Sequence, residues 1–167
     1  MGLSAAEYRE TLRRYTPRVF IDGRAIESVA DAPALAPGIA AIGTAYDFAN
    51  LPEHRVLMTA RQGTSGKTVN RMLHIDETST DLLYKLEAIR LLCKHSGCAQ
   101  RYLTHDAFNA IFQSTRRIDA EHGTEYHARF LAYMHRIQDE DLTCGVAMTD
   151  AKGDRSKRPH EQSVPEV

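Results

Sequence analysis

The sequence has no apolar run near the ~20 residues that a helix needs to cross a bilayer. It lacks net charge as well: 21 basic residues stand against 22 acidic ones, a formal balance of −1. No global basic field exists to attract nucleic acid or an anionic membrane surface. Cysteine is scarce. Three residues, an odd number, argue against a disulfide framework. Each is expected as a small buried apolar residue, with metal or redox roles as the alternative. The N-terminus "MGLSAAEYRETLRR" carries charges where a signal peptide needs an apolar core. Met1-Gly2 followed by Ala5-Ala6 is a poor myristoylation signal. Internal repeats and low-complexity segments are missing too. What remains is an apolar fraction of 43% and a charged fraction of 26% in 167 residues. Those values suit one soluble domain with a real core, expected in the cytoplasm.

Helical signals dominate. Ser4 and Glu7 read as a capping box ahead of Tyr8, Leu12 and Tyr15, and Pro17 ends that helix. Asp22-Gly23 between Val19–Ile21 and Ala25-Ile26 predicts a hairpin over 18–27, because both turn residues need positive φ. After breaks at Pro33 and Pro37, a second helix is expected over 38–49, with Ile39, Ile42, Tyr46 and Ala49 in register. Residues 60–76 are polar and glycine-bearing, so a long loop is expected. Their "SGKT" lacks the early glycine and the lead-in strand of a nucleotide-binding loop.

Thr78 and Asp81 cap a third helix, with Leu82, Leu86, Ile89 and Cys93 at spacings of four, three and four. Leu83, Leu91 and Leu92 widen that stripe, so this helix is expected at the centre of the core, ending near Gly97. A fourth helix is expected from Asp106, with Ala107, Ala110, Ile111 and Ser114 inward. A fifth follows from near Thr124 on Tyr126, Phe130, Met134 and Ile137. The pattern stops after Leu142. The fold class is mostly α, with one small β-hairpin.

Three places could carry chemistry. Cys93, His95, Cys98 and His105 are zinc-type residues. Cys93 and Cys98 lie about 140° apart on a helix, however, so they share no face unless the helix stops at Gly97. The spacing also lacks the paired signature of a closed site, and no metal is expected. Arg101 suits a carboxylate or phosphate, and Tyr102 suits a polar ligand. The alternative is a surface arginine and a packing tyrosine. His122, His127 and His135 are scattered and expected in solvent. The run "AMTDAKGDR" is the most specific. Thr149 and Asp150 offer oxygens, Gly153 allows close backbone approach, and Lys152 and Arg155 offer charge for phosphates or an anionic ring. It reads as a cofactor loop, or as a polar surface turn.

Taken in order, "SAAEYRETLRRYTPRVFIDGRAIESV", "GKTVNR", "STDLLYKLEAIRLL", "CAQR", "DAFNA", "IQDEDL" and "AMTDAKGDRSKRP" resemble the N-terminal region of the 4-hydroxybutyryl-CoA dehydratase and 4-hydroxyphenylacetate 3-monooxygenase flavoprotein family. The resemblance implies the helical N-terminal domain of an acyl-CoA dehydrogenase-like fold. In the family this is followed by a β domain and a C-terminal four-helix bundle, assembled as a homotetramer with FAD. It implies a helical domain over 1–144, and from 145 to 167 the start of a flavin-contacting loop leading to a β domain that is absent here. Ala147, Met148, Thr149, Lys152, Gly153, Asp154 and Arg155 match the flavin-contacting stretch. Gln100, Arg101 and Tyr102 match the substrate side, for a CoA thioester or a small aromatic.

The dehydratases hold a 4Fe–4S cluster partly through a Cys-x-x-x-Cys segment. Cys98 matches the first cysteine, but Tyr102 replaces the second, and a phenol is a poor cluster ligand. A flavin enzyme without the cluster is therefore expected. The monooxygenases place a histidine near the flavin where this sequence has Val146, which favours the CoA-using branch. A monooxygenase-like protein, a non-catalytic helical subunit and a fragment or split-enzyme piece stay open. Residues 145–162 are expected to order only against flavin or the missing domain. A large apolar patch left by the helices would imply a partner.

Overall fold

The computed structural model describes residues 2–99, 101–146, 153–154 and 156–162. Among them are six α-helices and two short antiparallel hairpins.

Helix α1 (Ala5–Arg13) begins at the expected capping box. The Glu7 amide donates to Ser4 Oγ at 3.2 Å, and the Ser4 amide returns a bond to Glu7 Oε2 at 2.8 Å. Two of the helix's orphan donors are thus satisfied. Tyr8 turns inward and stacks on Tyr46, with ring centroids 5.0 Å apart. Tyr15 lies beyond the helix end and is exposed. Strands β1 (Phe20–Ile21) and β2 (Arg24–Ala25) pair around Asp22 and Gly23, whose φ values of 50° and 76° are those the Asp-Gly signal requires.

Helix α2 (Ala36–Asn50) starts ahead of Pro37. A proline in the first turn removes no intrahelical bond, so it opens the helix rather than breaking it. Gly43 lets α1 approach closely: a β-carbon there would sit 2.8 Å from Ala5 Cβ. Leu51 is extended and Pro52 opens a further helix, α3 (Pro52–Met58), which the hydrophobic pattern did not signal.

The expected loop over 60–76 is instead a hairpin with an exposed tip, followed by a buried strap. Strands β3 (Thr59–Arg61) and β4 (Thr68–Asn70) pair in the register Thr59–Asn70, Ala60–Val69 and Arg61–Thr68. A 3-10 turn (Arg71–Leu73) follows. Every residue from Val69 to Ile75 is buried. The polar composition concealed this because some of the polar groups find partners inside, although Arg71 Nη1 and both ring nitrogens of His74 have no hydrogen-bond partner among the described residues. The Arg71 guanidinium donates to the carbonyls of Val56, Leu57 and Thr59. Gln62, fully buried, accepts from the Ile75 amide at 2.8 Å and from Gln138 Nε2 at 3.0 Å, and donates to Glu77 at 2.9 Å.

Helix α4 (Ser79–Ser96) has the expected capping box from Thr78 and Asp81, and stops at Gly97 in the left-handed region. Its buried face is not the expected one. Ala88 and Leu92 point inward, with Ile89 and Leu91 half-buried, while Leu82, Leu83, Leu86 and Cys93 are exposed. Helix α5 (Tyr102–His122) begins four residues before Asp106 and buries Thr104, His105 and Phe108. Ala110, Ile111 and Ser114, expected inward, are exposed. Helix α6 (Tyr126–Asp139) buries Phe130, Met134 and Ile137 as its spacing predicts, and only Tyr126 is left out. Two apolar cores result. One joins α2, α3 and α4 through Phe48, Met58, Met72 and Leu92; the other joins α5 and α6 through Phe108, Phe130, Met134 and Ile137. The strap serves both: Met72 enters the first, and Leu73 and Ile75 the second. Among the described residues no helix is long and apolar enough to cross a membrane.

Candidate functional site

The chain leaves α6 at Asp139 and runs toward residue 147 along a short segment that is anchored on both sides. Arg101, at the cap of α5, is only 2% exposed. Its Nη2 donates to Asp141 Oδ1 at 3.1 Å and to the Leu142 carbonyl at 3.0 Å. The guanidinium lies 4.3 Å from the centre of the Tyr46 ring, a cation–π stack in a desolvated setting. Tyr46 then donates its hydroxyl to the Asp141 carbonyl at 2.7 Å and lies 2.9 Å from Thr143 Oγ1. Burial raises the pKa of Tyr46, so the neutral phenol is kept as a donor; Arg101 opposes the shift. Asp141 adopts φ 46°, an uncommon value for a residue with a side chain. The ion pair and the phenol hold it there. One donor is left over: Arg101 Nη1 is buried with no hydrogen-bond partner among the described residues.

Asp141 also borders a polar cleft of about 400 Å³ lined by Asn50, Arg55, Thr59, Asn70 and Gln138, with the Lys67–Asp139 ion pair (2.5 Å) beside it. Further along, Cys144 Sγ is 3.5 Å from the Tyr133 hydroxyl, and this contact, with burial, pushes the Tyr133 phenol up to about 12.

The expected site residues are placed as follows. Arg101 joins Asp141 and Leu142, and Tyr102 is half-buried against the first core. Cys98 is half-buried with a free thiol, just past the end of α4. Gly153 and Asp154 are exposed, and Asp154 accepts from the Ser156 amide and hydroxyl at 3.0 and 2.6 Å. Gln100, Ala147, Met148, Thr149, Lys152 and Arg155 lie outside the described residues. Cys93 is exposed and Cys144 half-buried, so neither is the buried thiol expected of it. Cys93 sits on the outward stripe of α4. His127 and His135 are half-buried rather than solvated, and His127 Nδ1 lies 3.1 Å from Thr115 Oγ1. Among the described residues no three His, Cys, Asp or Glu side chains converge on a metal position.

Sequence reasoning missed Tyr46 as a polar group, and it missed Asp141 and Thr143 altogether. Their pairing spans almost a hundred residues and leaves no periodic trace. It also missed a buried cluster of histidines, carboxylates and an arginine behind the strap. His105 Nε2 is 3.3 Å from Asp76 Oδ1, His74 Nε2 is 3.4 Å from Asp81 Oδ1, and Arg71 Nη1 is 3.8 Å from Asp81. Burial holds the His74 pKa below its ordinary value, against the pull of Asp81 and Asp76.

The described residues form a helical domain in which a buried arginine holds the segment that follows the last α-helix. Its architecture is that of the N-terminal region of acyl-CoA dehydrogenase-like flavoproteins. Residues 4–167 match the family described as 4-hydroxyphenylacetate 3-hydroxylase N terminal, and the chain belongs to that family. It is 39% identical over 168 residues to the 4-hydroxybutyryl-CoA dehydratase/vinylacetyl-CoA-Δ-isomerase of Clostridium aminobutyricum, covering all of this chain and 34% of the relative. It is 24% identical to the oxygenase component of 4-hydroxyphenylacetate 3-monooxygenase of Thermus thermophilus, again over 34% of the relative. An oxygen-tolerant archaeal 4-hydroxybutyryl-CoA dehydratase from N. maritimus superposes with a TM-score of 0.90 at 39% identity, over 99% of this chain and 33% of that one. The oxygenase component of a 4-hydroxyphenylacetate 3-monooxygenase, complexed with FAD and 4-hydroxyphenylacetate, shares the fold at a TM-score of 0.73 and 23% identity. The chain thus spans about a third of the length of the curated relatives it matches.

Proposed function

We propose that this chain forms the N-terminal helical part of an FAD-dependent enzyme acting on a CoA thioester, by dehydration or double-bond isomerisation, without a 4Fe–4S cluster. The observation that carries the reading is the 39% identity to a dehydratase along the whole chain, together with a TM-score of 0.90 to a second one. Val146, where the monooxygenases place a histidine, favours the CoA-using branch over the aromatic hydroxylases.

In this reading residues 1–144 are scaffold, and 145–167 lead into the flavin-contacting stretch. Ala147, Met148, Thr149, Lys152, Gly153, Asp154 and Arg155 would hold one wall of the flavin. FAD, when bound, supplies an electron sink that the side chains lack. Lys152 and Arg155 would neutralise its phosphates or a reduced, anionic ring. Gly153 is exposed and without a side chain, which suits close backbone approach. Gln100, Arg101 and Tyr102 would face the substrate. Arg101 is buried, and its Nη1 has no hydrogen-bond partner among the described residues. With Nη2 committed to Asp141 and Leu142, the same residue fixes where the exit segment starts. Tyr102 in place of a cluster cysteine leaves Cys98 without its partner thiolate.

The test is a chimera. Residues 1–167 replace the matched region of the Clostridium relative, and the purified protein is examined for flavin, iron, acid-labile sulfide and turnover of 4-hydroxybutyryl-CoA or vinylacetyl-CoA. The expected product retains FAD, lacks cluster iron and acts on a CoA thioester. The 167-residue chain alone is expected to bind FAD weakly or not at all, since one wall leaves most of the ligand in water. Cluster-stoichiometric iron in the chimera, or a colourless and inactive chimera, would sink the reading.

A further inference from the structure

Tyr46, on α2, is fully buried and is in contact with α1, the cap of α5 and the segment beyond α6. The Tyr8 ring and the Arg101 guanidinium both stack on its ring, at 5.0 and 4.3 Å from its centre. Its hydroxyl bonds the Asp141 carbonyl and meets Thr143 Oγ1. Arg101 Nη2 bonds the Asp141 carboxylate and the Leu142 carbonyl. Tyr46, Arg101 and Asp141 therefore close a triangle in which each residue touches the other two. A phenol buried for packing needs one acceptor anywhere. This one takes the residues on either side of Leu142, and Arg101 takes Leu142 itself.

Ring and hydroxyl do different things in this triangle. A guanidinium is a flat fork of five N–H donors. Both protons of Nη2 are committed to Asp141 and Leu142, which fixes the fork within its plane. The stack on Tyr46 fixes the plane itself. The hydroxyl instead holds main chain: it bonds the carbonyl of Asp141, whose φ of 46° a residue with a side chain adopts only when its surroundings impose it. A leucine would supply neither function, and a phenylalanine would supply the stack without the tie.

We propose that Tyr46 is a positioning residue for the cofactor and substrate side of the enzyme. Its hydroxyl sets the path on which residues 141–146 approach the flavin-contacting stretch, and its ring sets the plane in which Arg101 holds its donors. The proposal rests on the functional reading above, which puts Arg101 toward the CoA thioester and the residues from 147 onward toward FAD. Tyr46 acts through Asp141 and Arg101 and takes part in no bond change. Removing its hydroxyl alone therefore weakens flavin binding and leaves thioester binding in place, because the stack on Arg101 survives.

The test is Tyr46→Phe, made in the 167-residue chain and in the chimera described above. In the chain, NMR follows hydrogen exchange of the Leu142 amide, which donates to the Ile137 carbonyl at 2.9 Å, with the amides of Phe130, Met134 and Ile137 in α6 as the reference. Leu142 should exchange about tenfold faster in the variant while the reference amides hold, the effect of one buried hydrogen bond lost locally. Unchanged exchange at Leu142 overturns the proposal. So does an equal rise at all four amides, because Tyr46 then only stabilises the core. The side-chain Nε–H signal of Arg101 should lie upfield of a free arginine's in both proteins, shielded by the ring; a signal at the free position overturns the role given to the stack. In the chimera Tyr46→Phe should raise the FAD dissociation constant about tenfold and leave the thioester KM within about twofold. Equal FAD affinity, or a KM that rises with it, contradicts the division of roles. A colourless chimera before substitution sinks the functional reading, and the exchange and Arg101 signals of the chain still decide whether Tyr46 positions its neighbours, so the two can fail separately.

Discussion

The strap of residues 59–76 and the leucine stripe of α4 exchange the places that their composition suggests. The strap is polar, and apart from its exposed glycine-bearing tip it is buried, above all from Val69 to Ile75; Leu82, Leu83 and Leu86 of the stripe are apolar and face outward. The difference shows what hydrophobic periodicity reports. It marks a face that is to be buried, without saying whether the cover comes from the same chain. Polarity likewise reports a need for hydrogen bonds, which the interior can meet as well as water when donors and acceptors are matched. Gln62 and Arg71 do this for the strap.

Substitutions can break this contrast at graded strength. The largest effect is expected from Met72→Ala. Met72 is fully buried between α2, α3 and α4, and such a truncation costs about 2–5 kcal/mol through lost burial and the cavity left behind. Urea denaturation should show the midpoint falling. An unchanged midpoint would mean that the strap is not part of the core. Gln62→Leu should follow, at about 1–3 kcal/mol, because it strands the Ile75 amide inside the protein and leaves Gln138 Nε2 with the Leu73 carbonyl alone. If Gln62→Leu stabilises the chain, the strap is held by apolar packing alone.

Acid should weaken the strap next. His74 is faced by Asp81 from α4, by Asp76 from the connection before it and by Arg71 from the 3-10 turn. Burial lowers its folded pKa below the ordinary 6.5, so between those two values the unfolded chain binds the extra proton. Stability then rises with pH across that window and is lost as pH falls from about 6.5 toward the folded value. Denaturation midpoints measured from pH 7 to pH 5 should slope this way in the native chain and flatten in His74→Gln. A parallel slope in both proteins would assign the effect to other groups. The smallest effect is expected at the stripe: Leu86→Lys should change the isolated chain's stability by no more than about 0.5 kcal/mol, since the side chain leaves little buried surface behind. A loss of several kcal/mol would place the stripe in the core after all.

Local signals were legible wherever one short segment settles its own geometry. The Ser4–Glu7 and Thr78–Asp81 capping boxes, the Asp22-Gly23 turn and the stop at Gly97 are all found where the residues announced them. Each satisfies its own backbone groups within a few residues, so nothing distant is needed. The mostly α class followed from those signals, and the family followed from ordered segments spread along the chain. Helix α3 was hidden because Leu51-Pro52 reads as a break, although proline also opens helices.

What the sequence by itself determined is the existence of five of the six described helices, two of their capping boxes and the kinship of the chain. Which face of α4 and α5 turns inward, and that a polar strap fills the centre, were decided only in the tertiary structure. So was the joining of Arg101, Tyr46 and Asp141 at the exit from α6. The physical reason is range. A cap or a turn is paid for within one turn of chain, whereas a buried ion pair between residues 101 and 141, or a phenol at 46 reaching a carbonyl at 141, exists only once distant segments have packed and water has been expelled from between them.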